Sequence, residues 1–271
     1  MSRSRPWPAE LDEISTSIGL NRNLVQGPGG NTSWKSGKSV WVKASGFQLR
    51  DALENEIFCE VDIKNPLINL RRDNKSPSIE STLHAAIPAQ FVIHIHSVAS
   101  MALSCIKLLD EEHYDLLESL DLAVVRYARP GLELAVEFES SLNGKNRLTG
   151  ALLKNHGLVS WGDDIEKVFQ RVLTIEKTFE DFLKSKRDSS FLNHFGDTSR
   201  ATTFGYITPD HAVFGNVMKN VNTGWLKDLD WAIKSAIQKI PKDVEIAYLS
   251  DEEVHSLRNW EAEKNRLGMN T

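Results

Sequence analysis

The segment FVIHIHS at residues 91–97 places two histidines inside a run of branched apolar residues. Successive side chains of an extended strand point to opposite faces, so His94 and His96 lie side by side on one face. Two neutral imidazoles are costly to bury without partners, and two charged imidazoles repel each other. A cation bound between them resolves both problems, and so does a set of ordinary hydrogen bonds in the core. The pair is therefore a candidate metal site that needs further ligands elsewhere in the chain.

Two other residues are candidates to complete this site. His156 lies in the sequence KNHG, where the following glycine permits an unusual backbone and the side chain can project from a sheet edge. The alternative is a solvent-exposed histidine in a turn. Glu80 opens a predicted helix just before the strand and can fold back over the end of that strand. Its alternative role is an acid that interacts with the helix dipole.

The glycine-rich segment GPGGN at residues 27–31 is a candidate anion site. It lacks the GxGxxG spacing and the GK[ST] ending of nucleotide-binding loops, and a hairpin rather than a helix is predicted after it. Backbone amides here can bind an anion together with Asn31 and the hydroxyls of Ser45 and Ser78, provided that these segments converge. Otherwise the segment is an ordinary turn.

The composition narrows the class of protein. The chain has 271 residues, 41% of them hydrophobic, and a net charge of −5, which gives no general case for binding nucleic acid or an anionic membrane. Cys59 and Cys105 form no metal-type CxxC pair. No run of about eighteen apolar residues occurs. We therefore expect a soluble cytoplasmic protein that binds neither nucleic acid nor membrane.

Periodicity and turn residues predict alternating helices and strands. A helix over 75–90 is expected to be capped by Ser76, and the other five histidines are expected on helical or loop surfaces: His84, His113, His194, His211 and His255. A polar loop at 186–200 marks a boundary between a domain over 1–190 and a C-terminal extension over 191–271. The remaining predicted elements are helices over 8–26, 97–120, 131–144, 163–186 and 225–239, a closing charged helix, a hairpin over 31–46, and strands at 91–97, 122–131, on both sides of Asn155-His156-Gly157, and at 244–250.

Two other folds that carry HxH can be excluded. A cupin needs a glutamate three or four residues after the second histidine, where this chain has valine, alanine and serine, and the predicted helices do not fit an all-β fold. An amidohydrolase barrel needs about eight βα units, and too little chain follows residue 96 to supply them.

Five motifs occur in a fixed order along the chain: GGNTS at 29–33, VKASG at 42–46, PSIE at 77–80, VIHIHS at 92–97 and NHGLVSWG at 155–162. This ordered set resembles the class II aldolase/adducin family over roughly residues 20–190. In detail it is most similar to the aldolase half of bifunctional rhamnulose-1-phosphate aldolase/short-chain dehydrogenases, which have a small-molecule sugar-type substrate. That resemblance implies a three-layer α/β/α fold with a mainly antiparallel central sheet, and a homo-oligomer, by resemblance a tetramer.

Carried over by position, the resemblance implies that His94, His96 and His156 bind one divalent metal, usually Zn²⁺, with Mn²⁺ and Co²⁺ as alternatives. Glu80 would be the acid/base. The implied reaction is retro-aldol cleavage of a sugar phosphate or related hydroxycarbonyl compound, in which the metal stabilises an enediolate. Five positions match those that hold a substrate phosphate in the family: Gly30, Asn31, Ser45, Gly46 and Ser78.

The sequence departs from the family pattern at two points. Ile79 stands where the phosphate motif often has a second serine, which removes a hydroxyl from the anion site. The tyrosine that a neighbouring subunit supplies in the family aldolases has no firm counterpart; Tyr114 is a candidate, and Tyr127 is predicted to be structural. The same metal site also serves decarboxylation, epimerisation or dehydration in the family. A non-catalytic, adducin-like interaction module is a further alternative, although such members lose the metal ligands.

Overall fold

The computed structural model describes residues 5–71, 73–142, 144, 147–191, 205–218 and 224–260. Its centre is an eight-stranded sheet with the order β4-β3-β2-β1-β5-β8-β7-β6. All neighbouring strands are antiparallel except β6 and β7, which confirms the predicted fold. The strands are β1 (Asn31–Ser36), β2 (Ser39–Lys43), β3 (Phe58–Asp62), β4 (Asn65–Asn69), β5 (Phe91–Ile95), β6 (Leu122–Val125), β7 (Gly150–Leu153) and β8 (Gly157–Gly162).

Helices cover both faces of the sheet. They are α1 (Ala9–Leu20), α2 (Ser81–Ala86), α3 (Val98–Ser104), α4 (Glu111–Ser119), α5 (Leu132–Leu142), α6 (Ile165–Phe191), α7 (Pro209–Met218), α8 (Gly224–Lys239) and α9 (Asp251–Asn259), with a short 3₁₀ helix at Leu49–Asp51. None of the helices in the described part of the chain is long and apolar enough to span a membrane.

The central strand β5 lies between β1 and β8 and divides the core into two layers. Ile93 and Ile95 are buried in one hydrophobic cluster with side chains of α1, α3, α6 and α8. Val92, on the opposite face, is buried with side chains of α2 and α5 in a second cluster. The alternation that produces these two layers also places His94 on the face of Val92.

The long helix α6 extends further than the sequence predicts. Its apolar stripe is buried as expected, with Val168, Val172, Ile175 and Phe179 almost inaccessible to solvent. The helix continues to Phe191, so the start of the predicted loop at 186–200 is helical. The rest of that loop lies outside the described residues.

Several predicted boundaries are wrong. The helix predicted over 75–90 begins only at Ser81, with Glu80 and not Ser76 at its N-cap position. The predicted strand at 244–250 forms only an isolated bridge between Ile246 and Ile106, because none of the described strands runs beside it. The helix predicted over 97–120 is two helices, and the side chain of Asp110 caps the second one.

The C-terminal segment packs on the sheet domain. Helix α8 contacts α3 and α6, and α7 contacts α8 and α9. Buried side chains of these three helices, such as Phe214, Ile233 and Leu257, belong to the same hydrophobic cluster as those of α1, α3 and α6. The division into a domain over 1–190 and an extension over 191–271 stays a prediction.

Candidate active site

Four predicted site residues converge at the end of β5. One ligand atom from each of Glu80, His94, His96 and His156 lies within 4.8 Å of the others, and all four residues are buried. His94 is in β5, His96 directly follows that strand, His156 lies in the turn between β7 and β8, and Glu80 immediately precedes α2.

The turn that carries His156 depends on its two neighbours. Asn155 has a positive φ of 53°, which asparagine tolerates better than most residues. At Gly157 a Cβ atom would lie 2.2 Å from the carbonyl oxygen of Ile95. Only glycine therefore allows β8 to approach β5 closely enough to bring His156 beside the other histidines.

Hydrogen bonds behind the rings orient His94 and His96. Nδ1 of His94 lies 3.0 Å from the carbonyl oxygen of Leu158, and Nδ1 of His96 lies 2.7 Å from Oδ2 of Asp210. Since only an N–H group can donate to these oxygens, each neutral ring keeps its lone pair on Nε2. The two Nε2 atoms are 3.0 Å apart, so a proton or a cation must lie between them or beside them.

Glu80 faces this pair with one oxygen that makes no hydrogen bond. Oε2 accepts a hydrogen bond of 2.9 Å from Nδ2 of Asn31. Oε1 lies 3.2 Å from Nε2 of His156 and 3.4 Å from Nε2 of His94, but is buried without a hydrogen-bond partner. Nδ1 of His156 is also buried without a partner.

The charges in the cluster are interdependent. Burial acts to raise the pKa of Glu80, but His94 and His156 outweigh it and hold that pKa well below its usual range. Burial acts to lower the pKa of His94, and the Glu80 carboxylate reverses this and raises it. At His156 burial prevails and lowers the pKa to about 3, so this ring is neutral as a metal ligand must be.

The donor set fits a divalent metal ion. Three imidazoles and a carboxylate are ligands that zinc and related metals accept in proteins. Two nitrogens that each lie about 2.0–2.1 Å from one ion are separated by about 3–3.4 Å, close to the distance between the two Nε2 atoms. A cation would also satisfy the unpartnered oxygen of Glu80.

A small pocket adjoins the cluster, and Glu80 and His96 form part of its wall. All five residues predicted to bind phosphate line this pocket. The lining residues are Pro28, Gly29, Gly30, Asn31, Lys43, Ser45, Gly46, Ser78, Ile79, Glu80 and His96. The glycine loop, the end of β2 and the segment before α2 therefore do converge.

Lys43 is a pocket residue that the sequence did not single out. It is only 2% exposed, and its Nζ donates to the carbonyl oxygens of Pro28 and Phe47 at 2.8 and 2.9 Å. The ammonium group thus joins the glycine loop to the loop after β2. It also adds a positive charge to a pocket whose other predicted contacts are neutral. The sequence signal that could have identified Lys43 as a pocket residue is its position two residues before Ser45 in VKASG.

His84 orients the side chain of Asn31 through a contact with its amide oxygen. It is completely buried, which corrects the expectation of a surface residue, and burial lowers its pKa to about 3. The neutral ring contacts Oδ1 of Asn31 through Nε2 and lies 2.6 Å from the hydroxyl of Ser33 through Nδ1. Holding Oδ1 in this way directs the amide group of Asn31 towards Glu80.

The remaining predicted residues lie elsewhere. His113 and His211 are buried and not on the surface, His255 is exposed, and His194 lies outside the described residues. Among the tyrosines, Tyr114 is 54% exposed on α4, and Tyr127 packs against the core. The cluster and the pocket are thus formed by segments from the first 160 residues, and Asp210 contacts the cluster through His96.

Comparison with known proteins identifies the family. The sequence model of the class II aldolase and adducin N-terminal domain matches residues 9–183. The chain belongs to this family. Its members among the relatives of this chain include both aldolases and dehydratases.

Three relatives show how far the similarity extends. The methylthioribulose-1-phosphate dehydratase of Klebsiella pneumoniae subsp. pneumoniae is 26% identical over 203 residues, which cover 67% of this chain and 98% of that protein. The L-fuculose phosphate aldolase of Methanocaldococcus jannaschii is 30% identical over 166 residues, which cover 58% of this chain and 85% of that protein. YuxG of Bacillus subtilis, an uncharacterized oxidoreductase, is 26% identical over 226 residues, which cover 68% of this chain but only 31% of YuxG.

A solved structure supports the fold. The N-terminal class II aldolase domain of a protein from Thermoplasma acidophilum superposes with a TM-score of 0.54 at 25% identity, and covers 68% of this chain and 97% of that one. None of these four proteins is named a rhamnulose-1-phosphate aldolase fused to a short-chain dehydrogenase. The finer resemblance therefore remains a prediction.

Proposed function

We propose that this class II aldolase family member is a metal-dependent lyase that cleaves a carbon–carbon bond in a phosphorylated ketose or a related hydroxycarbonyl compound. The observation that carries the proposal is that the candidate metal cluster and the adjoining pocket share two residues. Glu80 and His96 belong to the four-residue cluster and also line the anion pocket. A substrate whose phosphate lies in the pocket would therefore present its adjacent carbons to the cluster.

In this proposal His94, His96 and His156 hold one divalent metal, with Zn²⁺ preferred for three imidazole ligands over Mn²⁺ or Co²⁺. When bound, the ion supplies Lewis-acid stabilisation of negative charge on substrate oxygens. Glu80 acts as the acid/base, with Oε1 as the atom that takes and returns the proton. Asn31 holds Oε2, so the carboxylate presents Oε1 to the substrate in a fixed orientation.

Phosphate binding is proposed for Gly30, Asn31, Ser45, Gly46 and Ser78. Gly30 and Gly46 have φ values of 62° and 82°, which turn backbone amides in a manner suited to an anion. Ile79 offers no hydroxyl, but the ammonium of Lys43 in the pocket wall provides a charge that a neutral hydroxyl would not. The names of the dehydratase and aldolase relatives both specify phosphorylated substrates, which supports this assignment.

The direct test is turnover of a panel of ketose 1-phosphates by the metal-loaded protein. Glu80→Gln should retain the metal and lose turnover, by about 10²–10⁴-fold for a general acid–base residue. Glu139→Gln, a change at an exposed glutamate on α5, is the matched control. Normal turnover by the Glu80 variant would contradict the assigned role.

Dehydration is a second candidate, favoured by the dehydratase relative that this chain covers over 98% of its length. The two reactions differ in their products. Retro-aldol cleavage divides the substrate into two carbonyl compounds, whereas dehydration leaves one product that is lighter by one water. Mass spectrometry of the reaction mixture separates them and also detects decarboxylation. Epimerisation leaves the mass unchanged, so the NMR spectrum of the sugar is needed to detect it.

Three further assignments are proposals by resemblance. They are a homo-oligomer with the tetramer as the expected form, a cytoplasmic location, and a relationship to the aldolase half of rhamnulose-1-phosphate aldolase/short-chain dehydrogenases. Turnover by the purified protein would also exclude a purely adducin-like interaction module. Because the chain spans only about a third of YuxG, any activity of that longer protein is not carried over.

A further inference from the structure

The carboxylate of Asp210 reaches the candidate metal centre from outside the part of the chain that the family model matches. Its Oδ2 lies 2.7 Å from Nδ1 of His96, and the two side chains are only 8% and 9% exposed. The family match ends at residue 183. We propose that Asp210 is a positioning residue, which fixes the ring of His96 so that Nε2 faces the metal position. This inference rests on the proposed metal site.

The surrounding backbone leaves Asp210 little freedom. A Cβ atom at Gly29 would lie 3.1 Å from Oδ2 of Asp210 and equally close to Nδ1 of His96, so the glycine loop closes over their hydrogen bond. Asp210 is also the second residue of α7, whose N-terminal end carries a partial positive charge that complements a carboxylate. Thr208 supports this turn by accepting a hydrogen bond from the amide of His211.

The choice of acceptor has a chemical consequence. His94 donates to the neutral carbonyl of Leu158, whereas His96 donates to a carboxylate. A carboxylate accepts a stronger hydrogen bond than a carbonyl and makes the opposite ring nitrogen a better electron donor. Asp210 should therefore both select the tautomer of His96 and strengthen its bond to a metal.

A second contact ties the same segment to another histidine. Nδ2 of Asn155, the residue before His156, donates to the carbonyl oxygens of Ile207 and Ala247 at 3.0 and 2.7 Å. Ile207 precedes Asp210 by three residues. The described part of the C-terminal extension thus positions two of the three histidines. The side chain of Asp210 contacts His96, and two backbone carbonyls hold Asn155 in the turn that carries His156.

Metal affinity of the full chain tests the proposal without reference to turnover. The dissociation constants for Zn²⁺ and Co²⁺ would be measured by competition with a chromophoric chelator for wild type, Asp210→Asn and Asp210→Ala. Asp243→Asn, at an exposed aspartate of the same segment, is the control. We expect the dissociation constant to rise by about 10- to 100-fold in Asp210→Ala, by a smaller factor in Asp210→Asn, and not in the control.

The absorption spectrum of the Co²⁺-loaded protein supplies a second readout, because a purely structural role would leave the ligand field of the bound ion unchanged. If Asp210→Ala does not fold, Asp210→Asn carries the test, since it keeps the size of the side chain and one acceptor oxygen. Affinities within twofold of wild type and an unchanged Co²⁺ spectrum in the Asp210 variants would overturn the proposal while the metal site stands. Failure of the wild type to bind either ion would overturn the metal site and this inference together.

Discussion

Replacing Lys43 with methionine tests whether the pocket beside the cluster binds phosphate. The substitution keeps an unbranched chain of similar length and removes the ammonium group, which is buried and donates to the carbonyls of Pro28 and Phe47. A hydrogen bond to a charged group contributes about 1.5–3 kcal/mol. Because about 1.4 kcal/mol corresponds to a factor of ten, the KM for a phosphorylated substrate should rise by about 10- to 100-fold.

The assay compares KM for a ketose 1-phosphate with KM for the same sugar without phosphate, together with inhibition by inorganic phosphate. In Lys43→Met, only the KM for the ketose 1-phosphate and the inhibition constant for inorganic phosphate should change. Lys35→Met is a control, because Lys35 is partly buried and, like Lys43, donates to two carbonyls, those of Ala85 and Ile87, but does not line the pocket. An equal rise in KM for both sugars, or an unchanged inhibition constant for phosphate, would refute the proposed contact between the Lys43 ammonium group and the substrate phosphate.

Two further predictions concern the framework of the site. Gly157→Ala should push β8 away from β5, because the added Cβ meets the carbonyl of Ile95, and should lower the free energy of unfolding by about 1–3 kcal/mol; an unchanged Tm would show that the strands are not in tight contact. Burial raises the pKa of Glu176 to about 7 from its ordinary value of 4.5, so ionisation of this carboxyl destabilises the folded protein as pH rises through that interval. Glu176→Gln should therefore raise Tm relative to wild type more at about pH 8 than at about pH 5, and a difference independent of pH would contradict the shifted pKa.

The sequence predicted the parts of the site that depend on local pattern. The alternation in FVIHIHS placed His94 on one face of a strand, and this is confirmed. The break at Asn155-His156-Gly157 is also present, but the unusual backbone expected from the glycine lies at Asn155, which has the positive φ. Turn chemistry placed Glu80 inside a helix capped by Ser76, whereas Glu80 itself occupies the N-cap position of a helix that begins at Ser81. The residues alone left open whether the segments that carry Gly30, Ser45 and Ser78 converge; the family resemblance implied that they do, and the pocket brings them together.

The contacts that were missed join residues that are distant in the sequence. Asp210 is 114 residues from His96, and no periodicity connects two such positions. Residues 244–250 have the composition of a strand, but a strand also requires a neighbouring strand, and among the described residues this segment forms only the bridge between Ile246 and Ile106. At residues 76–80 a serine-proline pair resembled a helix start, whereas this segment instead runs beside the loop after β2, where Ser45 donates its amide to the carbonyl of Ser76.

Metal content of the purified protein is the measurement that tests the central claim most directly. Elemental analysis by plasma mass spectrometry would compare wild type, His156→Ala and the control His255→Ala, which changes an exposed histidine. The structure predicts about one transition metal ion per chain in wild type and in the control, and loss of that ion in His156→Ala. Wild-type protein that holds no metal after incubation with zinc, manganese or cobalt would contradict the proposed catalytic function.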